Sequence, residues 1–80
     1  MKSDSQIQFL KELGLNLREI RNARGFTMEQ LAGDTNIEIR QLSRIEHGEI
    51  STTVWTLKRL ADALGVDLAQ LLPATFNNKE

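Results

Sequence analysis

The amino-acid sequence predicts an all-α fold, a bundle of five consecutive helices. Apolar residues recur at intervals of three or four along most of the chain, which is the spacing of one face of a helix. No segment alternates apolar and polar residues as a half-buried strand does, and Pro73 is the only proline. Because 80 residues suffice for one small domain, we predict a single domain over 1–80, with its core in about 9–72 and a tail over 73–80.

Capping residues indicate where the first two helices begin and end. The first helix ends just before Gly25, which readily takes the left-handed conformation found after helix ends. Its apolar stripe consists of Phe9, Leu13, Leu17 and Ile20. Thr27 and Gln30 have the spacing of a capping box, so the second helix begins at Met28. That helix has about eight residues, because Asn36 can take the left-handed conformation at its end.

The third helix, over about 38–47, has two chemically different faces. Leu42 and Ile45 lie on its apolar side. The opposite side carries Arg40, Ser43, Arg44 and His47. We therefore expect one face in the core and the other presenting hydrogen-bond donors.

Two further helices complete the prediction. Hydroxyl groups in the segment EISTT can cap a fourth helix, which ends at Gly65. Its predicted apolar stripe consists of Val54, Leu57, Leu60, Ala61 and Leu64. A fifth helix begins at Asp67 and is closed by Pro73, because proline cannot continue a helix.

The composition excludes several classes of function. The absence of cysteine rules out a disulfide framework, a thiolate metal site and a thiol nucleophile. His47 is the only histidine and no ligand spacing surrounds it, so we predict neither a metal site nor a cofactor. No phosphate-binding loop, carboxylate pair or nucleophile with its base is present. We therefore predict a protein that is not an enzyme and has no small-molecule ligand.

The charge balance limits the possible partners. Ten basic and eleven acidic residues give a net charge of −1, and the pI is near 5.8. This balance argues against strong non-specific attraction to polyanions. The N-terminus lacks the apolar region of a signal peptide, and no apolar run is long enough to cross a bilayer. We predict a cytoplasmic protein with no membrane partner.

The order of the helices matches a known layout. Two short helices joined by a tight turn, preceded by one helix and followed by two, form a helix-turn-helix domain. The run LREIRNARGFTMEQLAGDTNIEIRQLSRIEHGE, continued by TLKRLADALGVDLAQLL, resembles the phage-repressor type of helix-turn-helix, the XRE or Cro/C1 family, across about residues 13–72. The resemblance implies a lambda-repressor-like fold with double-stranded DNA as its partner.

The resemblance also implies which residues contact DNA. In this family the third helix lies in the major groove, and the second helix has its N-terminus near a phosphate. Carried over to this sequence, the DNA contacts are Thr27, Met28, Glu38, Ile39, Arg40, Ser43, Arg44 and His47. An arginine fork can give guanine two hydrogen bonds, worth roughly 1–3 kcal/mol of discrimination. Ile39 either touches a thymine methyl group or makes a peripheral core contact, and His47 is either solvated or touches the DNA backbone.

The sequence departs from the family at several positions. Met28 stands where members commonly have a glutamine that holds a phosphate. Glu38 is a poor cap for the third helix, although its charge suits the positive helix end and it can accept from cytosine N4. The loop after the third helix has few cations, so we predict weak non-specific DNA binding with a shallow salt dependence.

One acidic residue of the third helix requires a partner inside the protein. Glu46 falls close to the apolar side of the helix, where an unpaired carboxylate is costly. In the resembled family the matching glutamate pairs with an arginine of the first helix. The resemblance therefore implies a structural pair between Glu46 and Arg21.

These observations predict a sequence-specific transcriptional regulator that binds a two-fold operator as a homodimer. The candidate dimer contacts are Phe76, Leu72 and Trp55, of which Leu72 is alternatively a core residue. Trp55 covers the preceding loop near Ile50, joins the dimer interface or lies against the DNA backbone. The rival function is a protein-interaction module, such as an antitoxin or adaptor, favoured by the acidic pI and by Met28. A narrower variant of the transcriptional-regulator hypothesis is a controller protein of a restriction-modification system.

Overall fold

A computed structural model describes residues 2–73, which form four α-helices and one turn of 3-10 helix. The elements are α1 (Asp4–Ala23), α2 (Met28–Thr35), α3 (Ile39–Glu46), α4 (Val54–Leu64) and the 3-10 helix (Leu68–Leu71). Within residues 2–73 there is no strand, so the prediction of an all-α fold is confirmed. None of the described helices is both long and apolar enough to cross a membrane.

The prediction of five α-helices is not confirmed, because the last predicted helix is only a 3-10 turn. Asp67 precedes this turn, and its backbone N–H donates to Oε1 of Gln70 at 3.0 Å. Leu72 is already extended, with φ −75° and ψ 144°. Proline disfavours the helical conformation in the residue before it, so Pro73 leaves too few residues for α-helical turns after Asp67.

The predicted caps of the second helix are confirmed. Oγ1 of Thr27 accepts from the backbone N–H of Gln30 at 3.0 Å, and Oε1 of Gln30 accepts from the N–H of Thr27 at 2.9 Å. Asn36 has φ 59° and ψ 33°, the left-handed conformation expected at the end of α2. A connection of three residues, 36–38, therefore separates α2 from α3, which fixes the tight turn between the two helices.

The core lies where α1, α2, α3, α4 and the 3-10 helix meet. Its buried apolar residues are Leu13, Leu17, Leu31, Ala32, Ile37, Leu42, Ile45, Leu57, Leu60, Ala61, Leu64 and Leu71. Val54 was predicted to belong to this core but is 69% exposed. It falls at the edge of the buried face of α4, and the first turn buries Thr56 instead. The stripe of α4 therefore begins at Leu57.

Two side chains reach across the fold to backbone carbonyls and hold the outer elements in place. Nδ2 of Asn16 in α1 donates to the carbonyl oxygens of Leu71 and Leu72, at 3.2 and 3.0 Å. Nη1 of Arg59 in α4 donates to the carbonyl oxygen of Thr35, the last residue of α2, at 3.0 Å. The second bond fixes the end of α2 and hence the start of the turn that leads into α3.

Candidate nucleic-acid interface

The two faces of α3 differ as the sequence predicted. Leu42 and Ile45 are fully buried, whereas Arg40, Arg44 and His47 are exposed and Ser43 is half-buried. The polar residues follow the spacing of one helical face. The described part of the chain therefore presents two guanidinium groups, a hydroxyl and an imidazole on the outer side of α3.

The two arginines of this face have different surroundings. Among residues 2–73 the side chain of Arg40 has no hydrogen-bond or ionic partner. Nε of Arg44 lies 3.6 Å from Oε1 of Glu49, an ion-pair distance that is longer than a hydrogen bond. The two side chains are 53% and 57% exposed, so water and other ligands can reach the pair. Sequence analysis did not identify Glu49, because Gly48 interrupts the helical spacing between it and Arg44.

The ring of His47 is oriented by the preceding turn of α3. Its Nδ1 lies 2.7 Å from the carbonyl oxygen of Ser43 and 3.4 Å from the Ser43 hydroxyl. A carbonyl oxygen only accepts, so Nδ1 carries the hydrogen of this bond. Nε2 is then an acceptor in the neutral ring and a donor in the imidazolium form. No group of three potential metal ligands occurs in residues 2–73, so His47 has no metal site around it there.

The N-terminus of α2 presents one polar and one apolar side chain. Thr27 is exposed, and because its Oγ1 already accepts from Gln30, its hydroxyl hydrogen remains available to an acceptor such as a phosphate oxygen. Met28 is half-buried and packs against the core. It therefore offers only an apolar contact at the end of α2.

Two other predicted contact residues lie at the start of α3. Glu38 is the N-cap, and its side chain makes no capping hydrogen bond, as expected for a poor cap. Its carboxylate is exposed and adds negative charge at the start of α3, two residues before Arg40. Ile39 is 44% exposed, so it leaves apolar surface at this end of the helix rather than joining the core.

The implied pair of Arg21 and Glu46 is confirmed as a buried salt bridge. Nε of Arg21 lies 2.6 Å from Oε2 of Glu46, and Nη2 donates to Oε1 at 3.0 Å. Nη1 of Arg21 also donates to the carbonyl oxygen of Phe26, at 3.0 Å. The hydrogen bond with Glu46 raises the pKa of Arg21, while burial acts in the opposite direction. One side chain thus joins α1 to the end of α3 and to the residue before Thr27, which sets the positions of both parts of the candidate interface.

An apolar surface lies on the first turn of α4. Trp55 is 67% exposed and follows the exposed Val54, so the indole is not buried against the preceding loop. Leu72 is partly buried and packs against the core. Phe76, the third predicted dimer contact, lies outside the described residues.

Comparison with known protein sequences gives a consistent set of similarities. A family model described as a helix-turn-helix domain matches residues 12–73. The uncharacterised HTH-type transcriptional regulator y4dJ of Sinorhizobium fredii is 35% identical over 65 residues, which cover 81% of this chain and 84% of that protein. The HTH-type transcriptional regulator DdrOP3 of Deinococcus deserti is 36% identical over 56 residues, 70% of this chain. The matched region spans only 43% of DdrOP3.

Solved structures share the fold. The restriction-modification controller protein C.AhdI from Aeromonas hydrophila superposes with a TM-score of 0.77 at 28% identity, covering 79% of this chain and 96% of that one. The DNA-binding domain of BldD from S. venezulae has a TM-score of 0.74 at 31% identity, covering 82% of this chain and 99% of that one. An HTH_3 family transcriptional regulator from Vibrio cholerae has a TM-score of 0.78 at 26% identity, covering 91% of this chain but 39% of that one.

Proposed function

This chain belongs to the XRE-type helix-turn-helix family, and from that premise we propose that it is a sequence-specific DNA-binding transcriptional regulator. In this proposal α3 enters the major groove of double-stranded DNA. An α-helix fits that groove, and its outer face can reach the base edges. The protein acts by binding DNA rather than by catalysis, with no cofactor.

The observation that carries this proposal is the exposure of Arg40 and Arg44 on the side of α3 that faces away from the core. Planar guanidinium groups suit guanine, whose O6 and N7 accept two parallel hydrogen bonds in the major groove. The buried face of the same helix fixes the backbone that carries both arginines. Each is therefore presented from a rigid element, which specific recognition requires.

The remaining contacts follow from the chemistry of each side chain. Ser43 and the Nε2 atom of His47 bond bases or phosphates, and the hydroxyl of Thr27 donates to a phosphate. Met28 contributes an apolar contact. Glu38 accepts a hydrogen bond from cytosine N4, and Ile39 makes an apolar contact with a thymine methyl group. Sequence preference in this scheme resides in α3, while the end of α2 fixes the register on the DNA backbone.

The proposed active form is a homodimer on a two-fold operator, with half-sites about 34–36 Å apart. Of the two candidate contacts that the structure describes, Trp55 is the more exposed, and an exposed indole beside Val54 suits a subunit interface. Leu72 contributes less, because part of its surface packs against the core. Phe76 stays a candidate by sequence alone. The single-domain organisation over 1–80 and the cytoplasmic location likewise stay predictions.

Two alternatives have specific observations in their favour. A protein-interaction module, such as an antitoxin or adaptor, would use the same face of α3, and the net charge of −1 and the half-buried Met28 favour it. A restriction-modification controller is a narrower form of the DNA-binding proposal. The similarity to C.AhdI over 96% of that chain favours this form.

Selection of binding sites from random DNA duplexes tests the proposal. We expect the selection to enrich a sequence with two-fold symmetry. In anisotropy titrations we expect unrelated duplexes to bind weakly, with an affinity that depends only slightly on salt concentration. We expect weak binding of unrelated duplexes because the net charge is negative, Glu49 pairs with Arg44 and the exposed Glu38 lies at the start of α3. Failure to enrich any sequence at low salt would reject DNA recognition and favour the interaction module.

A further inference from the structure

The geometry around Arg44 points to a second residue that determines specificity. Resting on the proposed DNA-binding function, we propose that Glu49 is a positioning residue, which holds the guanidinium of Arg44 for reading a base and keeps it away from phosphates. Glu49 itself contacts no base in this proposal. It acts through Arg44, with Oε1 placed 3.6 Å from Nε.

Three backbone features fix Glu49 relative to α3. Its N–H donates to the carbonyl oxygen of Arg44 at 2.9 Å, and its own carbonyl oxygen accepts from Nζ of Lys2 at 2.8 Å. Gly48, directly before it, has φ 72° and packs so closely that an added Cβ would lie 2.8 Å from Cα of Lys11. The turn after α3 is therefore held against α1, so the backbone that carries the side chain of Glu49 has a fixed position.

The contact with Glu49 at Nε leaves the terminal nitrogens of Arg44 available for a base. A guanidinium has five N–H groups, one on Nε and two on each terminal nitrogen. Nε is the atom of Arg44 that pairs with the Glu49 carboxylate, so the terminal nitrogens remain for a paired contact with O6 and N7 of guanine. In this proposal the pairing with Glu49 favours this orientation of Arg44 before DNA binds, which reduces the entropy lost when the base contact forms.

The charge of Glu49 acts in the same direction. A carboxylate beside Arg44 repels DNA phosphates and competes with them for the guanidinium, so the arginine binds the backbone of an arbitrary sequence less well. A correctly placed guanine offers neutral acceptors and suffers less from this repulsion. Both effects increase the ratio of specific to non-specific affinity. For so exposed a pair, we expect the change in that ratio to be about twofold to fivefold.

A double-mutant cycle tests this inference, with wild type, Glu49→Gln, Arg44→Gln and the double variant. Each protein is titrated against the selected site, against the same site changed at each base pair in turn, and against an unrelated duplex. The base pair read by Arg44 is identified as the one whose change lowers the affinity of wild type but not the affinity of Arg44→Gln. For Glu49→Gln we expect weaker discrimination at that base pair alone and tighter binding of the unrelated duplex. Glu19→Gln, an exposed carboxylate on α1, is the matched charge control and is expected to leave discrimination unchanged.

The outcomes separate this inference from the proposed function. If wild type enriches no site, the proposed function fails. If wild type enriches a site but Glu49→Gln changes the affinity for every duplex equally, Glu49 acts only as a bulk charge and the inference is wrong. The inference is also wrong if Glu49→Gln tightens binding of the unrelated duplex by the same factor when Arg44 is already glutamine, because its effect then does not act through Arg44. Thermal unfolding of all five proteins, the Glu19→Gln control included, shows whether each variant remains folded.

Discussion

Gly14 in α1 lies against the backbone of Ile45 in α3, so closely that a Cβ added at Gly14 would lie 2.6 Å from the Ile45 carbonyl oxygen. Real Cβ atoms essentially never approach backbone atoms at this distance, so a larger residue would force the two helices apart. The added Cβ would come closer still to the carbonyl oxygen of Glu46, whose side chain is bonded to Arg21. The separation of α1 and α3 therefore sets both the buried ion pair and the orientation of the outer face of α3.

We expect Gly14→Ala to destabilise the protein by about 1–3 kcal/mol, the usual cost of overpacking. Alanine would gain about 1 kcal/mol from its greater helix propensity, but the clash with the backbone of α3 outweighs this gain. Gly33→Ala in α2 is the matched control, because nothing lies within 4 Å of its added Cβ. The control is expected to be neutral or stabilising. Urea unfolding of both variants measures the difference, and equal effects would show that α1 and α3 are not in close contact at Gly14.

Glu46→Gln is expected to lower the free energy of unfolding by about 3–5 kcal/mol, because it leaves the buried charge of Arg21 without its partner. The double variant Arg21→Met with Glu46→Leu should recover most of this loss, since apolar residues can replace a buried ion pair. Recovery is incomplete because the carbonyl oxygen of Phe26 also loses its donor. Denaturant titrations compare the three proteins, and a loss below about 1 kcal/mol for Glu46→Gln would indicate a solvated pair.

The contribution of Arg21 to stability is expected to stay constant from roughly pH 6 to 9. The pKa of Arg21 is raised in the folded state, so its charged form stabilises the fold at all pH values below its ordinary, strongly alkaline pKa. That contribution disappears only as the pH rises through the raised value. The measurement compares wild type with the Arg21→Met, Glu46→Leu variant across this range. A difference that shrinks near neutral pH would contradict a charged arginine in the pair.

Arg59→Met is expected to cost about 1–3 kcal/mol, because the carbonyl oxygen of Thr35 loses a charged hydrogen-bond donor. The neighbouring Lys58→Met is the control. Lys58 is paired with Asp62 at 2.7 Å, but both side chains are largely exposed, so its removal should change stability by about 0.5 kcal/mol or less. Thermal unfolding of the two variants distinguishes the cross-helix bond of Arg59 from a surface pair. Similar losses would mean that the bond to Thr35 adds little.

Arg40→Ala and Arg44→Ala are each expected to weaken binding to the selected operator by about 1–3 kcal/mol and to relax preference at one base pair. Arg18→Ala removes the same charge from an exposed position on α1, outside the candidate interface. It should weaken the binding of all duplexes slightly and by a similar factor. Anisotropy titrations on single-base variants of the site make the comparison. A loss of affinity without any change in base preference would show that both arginines of α3 contact phosphates and not bases.

Trp55→Ser is expected to reduce dimerisation while changing the stability of the monomer by about 0.5 kcal/mol or less, because the indole is mostly exposed within one chain. Leu15→Ser is the control, since Leu15 is a partly exposed apolar residue on α1 that is not a candidate dimer contact. Sedimentation at several concentrations gives the fraction of dimer for each variant. Trp55 is also the only tryptophan, so its fluorescence should shift with protein concentration. Unchanged sedimentation for Trp55→Ser would place the interface elsewhere.

Where the sequence predicted correctly, the signal was local. The capping box of Thr27 and Gln30 involves residues three positions apart, and the left-handed Asn36 depends on its own conformational preference. The two faces of α3 follow from the spacing of Leu42 and Ile45 within a single helix. Even the wrong prediction of a fifth α-helix has a local cause, since the extended Leu72 before Pro73 limits the element over Leu68–Leu71 to a 3-10 turn.

The sequence by itself determined the four α-helices, their order, the polar face of α3 and, apart from Val54, the buried faces, because each depends on residues within one or two turns of each other. Only the tertiary structure decided which groups of different elements meet. The contacts of Gly14 with Ile45, of Arg59 with Thr35 and of Arg44 with Glu49 depend on how helices cross and on where the turn at Gly48 leads. Helical periodicity carries no information about these distances, so the partner of Arg44 appears only once α1, α3 and the turn after α3 are packed together.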